Sequence, residues 1–105
     1  MSDYTLLLTT WPDQKAAEQF AEEWLNKKLV ACVNILPQMV SLYQWQGEFQ
    51  RGTEHQMLLK TRVERVDELQ QAIIDAHPYE CPEVLQLPIT GGYEPYLNWI
   101  TGNTQ

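Results

Sequence analysis

The long hairpin predicted in the middle of the chain constrains the fold more than any other feature. Residues 40–61, VSLYQWQGEFQRGTEHQMLLKT, are typical of a strand, a tight turn near Gly47 and a second strand. The apolar segment LVACVNILP (29–37) leads into the first arm. The arms, roughly 30–46 and 48–61, therefore hold about 14 or more residues each, where strands usually hold about 5–6.

Strand and helix patterns alternate around this hairpin. Apolar periodicity predicts a strand at 4–10, a helix from Pro12 to Lys28, a helix after the Thr61–Glu64 capping box, a strand at 83–89 and a short helix within 91–100. The order β-α-β-β-α-β is that of the ferredoxin-like split βαβ fold. The sequence thus predicts an α+β single domain, residues 1–105, with an extended central hairpin and a short C-terminal helix.

The hairpin is too long for a lone domain of this kind. At ~3.3 Å per residue an arm spans ~46 Å, whereas the first helix, about 16 residues long, covers ~24 Å. Even if Pro37 and Gly52 bend or bulge the arms, we expect roughly 15–20 Å of ribbon beyond the helices. Tyr43, Trp45 and Phe49 share odd parity, and we expect them on one face of it. Isolated two-stranded ribbons are marginally stable in water, so this one predicts an obligate oligomer.

Composition and charge exclude several classes of partner. The formal net charge is −7, which argues against nucleic acid because that affinity comes mainly from Lys and Arg neutralising phosphates. No apolar run approaches the roughly 18 residues of a membrane helix, and the start MSDYTLLLTT lacks a basic leader region. We therefore expect no membrane partner, a cytoplasmic location, and free thiols at Cys32 and Cys81.

The stretch DAHPYECPEVLQLPI (75–89) concentrates the possible metal ligands of the chain. It holds one histidine, one cysteine, two carboxylates and two prolines within a few positions: His77, Cys81, Glu80, Glu83, Pro78 and Pro82. Two interpretations stand side by side. One is a metal site with His77 as a ligand, and the other is a stiff joint between helix and strand, since the prolines prevent a regular helix there.

The other chemically interesting side chains carry weaker signals. Cys32 lies in an apolar strand and is interpreted as a buried, inert thiol. His55 alternates with polar residues, so we expect it to face solvent or an interface. No nucleophile elbow, phosphate-binding loop, dinucleotide fingerprint, zinc spacing or calcium loop occurs, and no enzymatic activity is expected.

Several separated motifs together resemble the CutA family of divalent-cation tolerance proteins. These are TTWPD, LVACVNILP, SLYQWQGEFQ, HPYECPEVLQLPI and YLNWI, in order and spacing along nearly the whole chain. The resemblance implies a ferredoxin-like fold assembled as a homotrimer through the central hairpin. It also implies a role in the response to divalent metal ions, without an attached enzymatic reaction.

The resemblance carries over to a metal site at one position. Bacterial members assigned to copper have a Cys at the end of the first strand and a His doublet before the PY pair. This chain has Thr9 at the first position and Ala76–His77 at the doublet. His77 is thus the predicted metal ligand, with weak copper binding. The alternative is a trimeric signalling or interaction scaffold, similar to the PII proteins, that binds a small ligand or a protein in clefts between subunits.

Overall fold

The structure, a computed structural model, describes residues 2–105 as five strands and three helices. The strands are β1 (Tyr4–Trp11), β2 (Cys32–Ile35), β3 (Met39–Trp45), β4 (Glu48–Arg62) and β5 (Leu85–Pro88). The helices are α1 (Gln14–Asn26), α2 (Val66–Ala76) and α3 (Glu94–Gly102), and a 3-10 turn (Val63–Arg65) joins β4 to α2. The predicted order of elements is confirmed, as is the α+β, ferredoxin-like fold class.

Strand β4 organises the sheet because it pairs on both of its edges. The strand order is β2-β4-β1-β5, all antiparallel, and β3 pairs with the first half of β4. The second half of β4 lies between β1 and β2. Its pairing with β1 runs from Trp11 opposite His55 to Tyr4 opposite Arg62. At 15 residues, β4 confirms the predicted overlong second arm.

The first arm is not continuous, and its interruption changes which side chains share a face. In β2, Ile35 lies opposite Met57, whereas in β3, Met39 lies opposite Glu54. Three residues, Leu36 to Gln38, therefore face two on β4, which is the count of a β-bulge at Pro37. A one-residue insertion sends every later side chain to the other face.

The predicted shared face of the aromatic residues is wrong in part, because the two-residue turn pairs odd-numbered residues of β3 with even-numbered residues of β4. Phe49 pairs with Gln44, while Trp45 pairs with Glu48 across the two-residue turn Gln46–Gly47. Directly paired residues point to the same side, so Tyr43 and Trp45 lie on the face opposite Phe49. Both turn residues have positive φ, 52° and 80°, as the primed hairpin turns require. Gly52 pairs with Ser41 in regular register, so the bend occurs at Pro37 and not at Gly52.

Helices α1 and α2 cover one face of the sheet. Leu7 and Trp11 of β1, with Met57 and Leu59 of β4, point toward them and are at most 1% exposed. The helices contribute their own apolar stripes to the same core: Ala17, Ala21, Trp24, Val66, Leu69 and Ile73. Burial of this core holds the two layers together.

The other side of the sheet, here called the open face, is apolar but incompletely covered. It carries Leu6, Leu8, Leu58, Leu85 and Leu87 by strand register. Helix α3 packs over its end, where Tyr4 bonds Thr101 (2.7 Å) and Lys60 lies over the Tyr96 ring. Leu85 and Leu87 nevertheless remain 53% and 39% exposed.

The central hairpin, residues 39–54 of β3 and β4, protrudes from this two-layer body. The molecule measures 44 × 27 × 24 Å with a radius of gyration of 14.4 Å, above the roughly 13 Å of a compact chain of about 100 residues. Phe49 and Leu42 on one face are 66% and 64% exposed, and Tyr43 on the other is 49% exposed. The expected protruding apolar ribbon is present, with apolar side chains on both faces.

The start of α2 differs from expectation, and hydrogen bonds fix the C-terminal segment. Thr61 does not form a capping box with Glu64: its hydroxyl points into the core and donates to the Leu29 carbonyl (2.7 Å), while Glu64 pairs with Arg62. The C-terminal segment is held in place, because the guanidinium of Arg62 donates to the hydroxyl of the fully buried Thr104 (2.7 Å). The Thr61–Leu29 and Arg62–Thr104 contacts join residues distant in sequence, and local sequence patterns do not encode them.

Thr9 provides a test of this packing. Its hydroxyl is the buried side-chain polar atom that lacks a hydrogen-bond partner within residues 2–105. Leaving a buried polar group unpaired costs about 1–3 kcal/mol. Thr9→Val should therefore raise the free energy of unfolding, by about 1 kcal/mol, in denaturant titration at fixed protein concentration.

Thr61→Val is the matched control, because it removes a hydroxyl of the same size that does have a partner. It should lower the free energy of unfolding by about 1 kcal/mol or more. Equal destabilisation by the two substitutions would show that the Thr9 hydroxyl has a partner in the native protein.

Candidate functional site

His77 lies where α2 ends and the chain turns toward β5. It is the residue that follows the helix, with extended backbone angles (φ −72°, ψ 137°), and Pro78 prevents continuation. Its Nε2 lies 2.6 Å from the Thr10 carbonyl oxygen, and its Nδ1 lies 3.1 Å from the Tyr79 backbone nitrogen. The neutral imidazole satisfies both contacts when Nε2–H donates to Thr10 and Nδ1 accepts from Tyr79.

Aromatic neighbours enclose the His77 ring. The ring centroids of Trp11 and Tyr79 lie 4.2 Å and 4.6 Å away. Burial among these rings lowers the pKa of His77 below its ordinary 6.5, although the Thr10 hydrogen bond and the Glu54 carboxylate oppose that shift. The packed geometry therefore favours the neutral form.

Tyr79 connects the same segment to the central hairpin. Its hydroxyl donates to Oε2 of Glu54 on β4 at 3.1 Å. Burial, and then the adjacent Glu54 carboxylate, raise the pKa of Tyr79 to about 12. The phenol therefore remains a donor across the physiological pH range.

A second connection runs through Gln56 of β4. Its side-chain amide donates to the Thr9 carbonyl (2.8 Å) and to Oε2 of Glu83 (2.9 Å). Residues 77–83, here called the joint, are thereby bonded to β1 and to β4. The structural interpretation of the HPYECPE motif agrees with this arrangement, because its polar groups fix where the hairpin leaves the body.

The joint and the hairpin border an open cleft of about 350 Å³ on the open-face side. Tyr43 and Trp45 of β3 line one side, and Tyr79, Glu80, Cys81 and Glu83 of the joint line the other. Gly52, Thr53 and Glu54 lie between them. The cleft combines aromatic rings with carboxylates.

The three other candidate residues lie apart from His77 or have structural roles. Cys81 is exposed at the cleft, and Cys32 is half-buried on β2 with its thiol 3.8 Å from Asn34 Oδ1, so the expectation of a fully buried Cys32 is wrong. His55 is 6% exposed, and its Nδ1 lies 2.9 Å from the Leu36 carbonyl. It therefore stabilises the β-bulge and does not face solvent.

The described side chains do not assemble a metal centre within one chain. Across residues 2–105, no three His, Cys, Asp or Glu side chains lie close enough to hold an ion together. Both nitrogens of His77 already take part in hydrogen bonds, so a metal ion there would have to displace one of them. His77 as a metal ligand stays a prediction. Likewise, no helix in that range is long and apolar enough to span a membrane.

Comparison with known proteins places this geometry in a family. The model of the CutA1 divalent ion tolerance protein family matches residues 5–103. The chain belongs to the CutA family. Its fold superposes on the crystal structure of CutA from Xylella fastidiosa with a TM-score of 0.95 at 35% identity, covering 99% of this chain and 100% of that one.

Curated relatives agree with the assignment. The chain is 41% identical over 91 residues to a CutA homolog of Xenopus laevis, covering 87% of this chain and 60% of that protein. It is 40% identical over 98 residues to the divalent-cation tolerance protein CutA of Citrobacter koseri, covering 93% and 85%. The chain thus spans less than two thirds of the length of the Xenopus protein and most of the Citrobacter one.

The environment of His77 predicts its titration. A lowered folded-state pKa means that folding opposes protonation, so this imidazole favours the folded state above pH 6.5. The contribution of His77 to the free energy of unfolding is lost as the pH falls through the lowered pKa. In metal-free buffer, the His77 ring proton should titrate in NMR with a midpoint below 6.5, and His77→Gln assigns the signal. A midpoint at or above 6.5 would contradict the packed, neutral ring.

Proposed function

We propose that this CutA-family chain acts as a cytoplasmic homotrimer in the response to divalent metal ions, and that it works by binding and not by catalysis. In this proposal residues 1–105 form one domain, and the partner is a further copy of the same chain. The observation that carries the proposal is the exposed apolar surface of the central hairpin and of the open face.

The exposed apolar side chains support an oligomer. Phe49, Leu42 and Trp45 are 66%, 64% and 41% exposed on the hairpin, and Leu85 is 53% exposed on the open face. Exposed apolar surface of this kind is typical of interaction sites. A second copy is the available occupant, because it brings the same apolar ribbon and face at the same concentration.

Both faces of the hairpin carry apolar side chains, which favours more than one neighbour. Phe49 and Leu42 point to the helix side, while Tyr43 and Trp45 point to the open-face side. A cyclic trimer lets each hairpin contact its neighbours on both faces, which agrees with the assembly that the family resemblance implies.

The oligomer is testable through Trp45. Light scattering of the wild-type protein at micromolar concentration should give three times the chain mass of 12.3 kDa. Trp45→Ala should weaken the assembly by about 3–5 kcal/mol, since it removes a large ring from a core-like interface. The variant should therefore dissociate at concentrations where the wild type does not.

Ile74→Ala is the matched control, because Ile74 is 44% exposed on α2, on the helical layer away from the hairpin. It should leave the mass unchanged. A wild-type mass equal to that of one chain would contradict the proposed oligomer. Equal dissociation of Trp45→Ala and Ile74→Ala would also contradict it.

The proposed metal role is weak copper binding through His77. Imidazole nitrogen suits copper, and the nearby carboxylates Glu54, Glu80 and Glu83 raise the local cation concentration. Within one chain the remaining ligands are water or residues of a neighbouring copy, since no cluster of three ligands forms among residues 2–105. Affinity should be too low to retain metal through purification.

Calorimetry tests this role directly. His77→Ala should lose most of the Cu(II) binding of the wild type while keeping its oligomeric mass, and Cys81→Ser reports whether the exposed thiol takes part. Wild-type binding should fall as the pH drops through the pKa of His77, which burial lowers below 6.5, because protonation removes the ligand lone pair. Superimposable isotherms for wild type and His77→Ala would show that the histidine serves the joint alone.

The cleft supports a second candidate function. In it, the chain is a trimeric scaffold similar to PII proteins that binds a small ligand or a protein between subunits. Its volume of about 350 Å³ falls within the range of small-molecule sites. A thermal-shift screen separates the functions, because a ligand selective for the native trimer raises its melting temperature.

A further inference from the structure

We propose that Tyr79 is a latch between the candidate metal ligand His77 and the base of the central hairpin, so that an ion at His77 loosens the hairpin. This role rests on the proposed metal response, and it names the residue through which metal binding would reach the proposed oligomer. Two contacts of one residue support it. The backbone amide of Tyr79 occupies His77, and its hydroxyl holds Glu54.

The hydrogen bonds of His77 determine which of its nitrogens can meet an ion. Nε2 lies 2.6 Å from the carbonyl oxygen of Thr10, so Nε2 carries the proton and Nδ1 keeps the lone pair. Metal-bound histidines generally donate their other ring N–H to a backbone carbonyl or a carboxylate in this way. Thr10 is 4% exposed, whereas the contact of Nδ1 with Tyr79 lies at the surface. An ion from solvent therefore reaches Nδ1.

The backbone N–H of Tyr79 occupies the position that an ion at Nδ1 needs. The Tyr79 nitrogen lies 3.1 Å from Nδ1 and donates its N–H to the lone pair. Divalent ions such as zinc lie about 2.0–2.1 Å from an imidazole nitrogen. An ion along the same direction would therefore lie about 1 Å from the amide nitrogen. Tyr79 has to withdraw before His77 can act as a ligand.

Withdrawal of Tyr79 acts on the hairpin because the same residue holds Glu54. The Tyr79 hydroxyl lies 3.1 Å from Oε2 of Glu54. This distance is at the long end of the range for such bonds, so a small displacement breaks the contact. Glu54 lies opposite Met39, in the first residue pair of the β3–β4 ladder. Loss of the bond therefore loosens the hairpin at the point where it leaves the body.

The link works in both directions. Because an ion at His77 and the closed latch exclude each other, a change that opens the latch strengthens ion binding by the same factor. The Tyr79–Glu54 bond joins a phenol to a carboxylate, and a bond of this kind changes an equilibrium constant about tenfold. Neighbouring copies that hold the hairpin in place favour the closed latch. Assembly and metal binding therefore oppose each other, which agrees with the low affinity proposed for His77.

Hydrogen exchange of the intact oligomer, measured by mass spectrometry, tests the latch with Cu(II) as the probe. Saturating Cu(II) should speed exchange about tenfold at residues 39–41 and 52–54 and leave β1 unchanged. Tyr79→Phe should speed exchange of the same amides about tenfold without metal, because it removes the bond to Glu54. Glu54→Ala removes that bond from its other end, and the double variant should exchange no faster than either single variant.

Calorimetry supplies a readout that a purely structural role would not produce. Tyr79→Phe should bind Cu(II) about tenfold more tightly than the wild type, because the bond to Glu54 no longer has to break. Tyr93→Phe is the matched control, since it removes the same hydroxyl from a tyrosine that is 76% exposed at the start of α3. It should change neither the exchange rates nor the affinity. Light scattering should show that each variant keeps the wild-type mass at the protein concentration used.

The outcomes separate the latch from the metal response. Cu(II) binding that His77→Ala abolishes, together with unchanged exchange at the hairpin base, overturns the latch and leaves the proposed metal response in place. Equal Cu(II) isotherms for Tyr79→Phe and the wild type overturn the latch, as do equal effects of Tyr79→Phe and Tyr93→Phe. A wild type without any Cu(II) binding that depends on His77 overturns both.

Discussion

The pairing of β4 along both edges is the constraint on which the remaining structure depends. Its second half completes the sheet between β1 and β2, and its first half extends beyond the helices with β3 as its partner. One continuous strand therefore belongs to a packed core and to an uncovered ribbon. The core anchors the ribbon, and in the proposed trimer other chains cover it.

The joint connects these two regions. His77 bonds Thr10 at the end of β1, and Tyr79 bonds Glu54 at the base of the hairpin. The candidate metal ligand and the acidic cleft are consequently built from the same residues that orient the hairpin. Binding at either place would act directly on the element that carries the apolar interface, so ligand state and assembly would be thermodynamically linked.

Much of the fold was predictable because it rests on local patterns. The apolar periods and the proline-bounded joint gave the order of elements, and strand length gave the protruding ribbon. The face of Phe49 did not follow from odd and even positions along the chain, because a two-residue turn pairs odd-numbered residues of one arm with even-numbered residues of the other. The burial of His55 and the hydroxyl contact of Thr61 depend on carbonyls of Leu36 and Leu29, residues distant in sequence. The cleft was missed because its walls come from three separate segments, and Gly52, read as a bend, was its one sequence signal.

We propose that other copies of the chain cover the hairpin, and amide hydrogen exchange measures that cover. The amides of β3 and of residues 48–54, where they bond across the hairpin, should exchange as slowly as those of β1. Their protection should fall when the protein is diluted below the dissociation point. An uncovered two-stranded ribbon frays readily. Rapid exchange across residues 39–54 at high protein concentration, with β1 still protected, would contradict the claim.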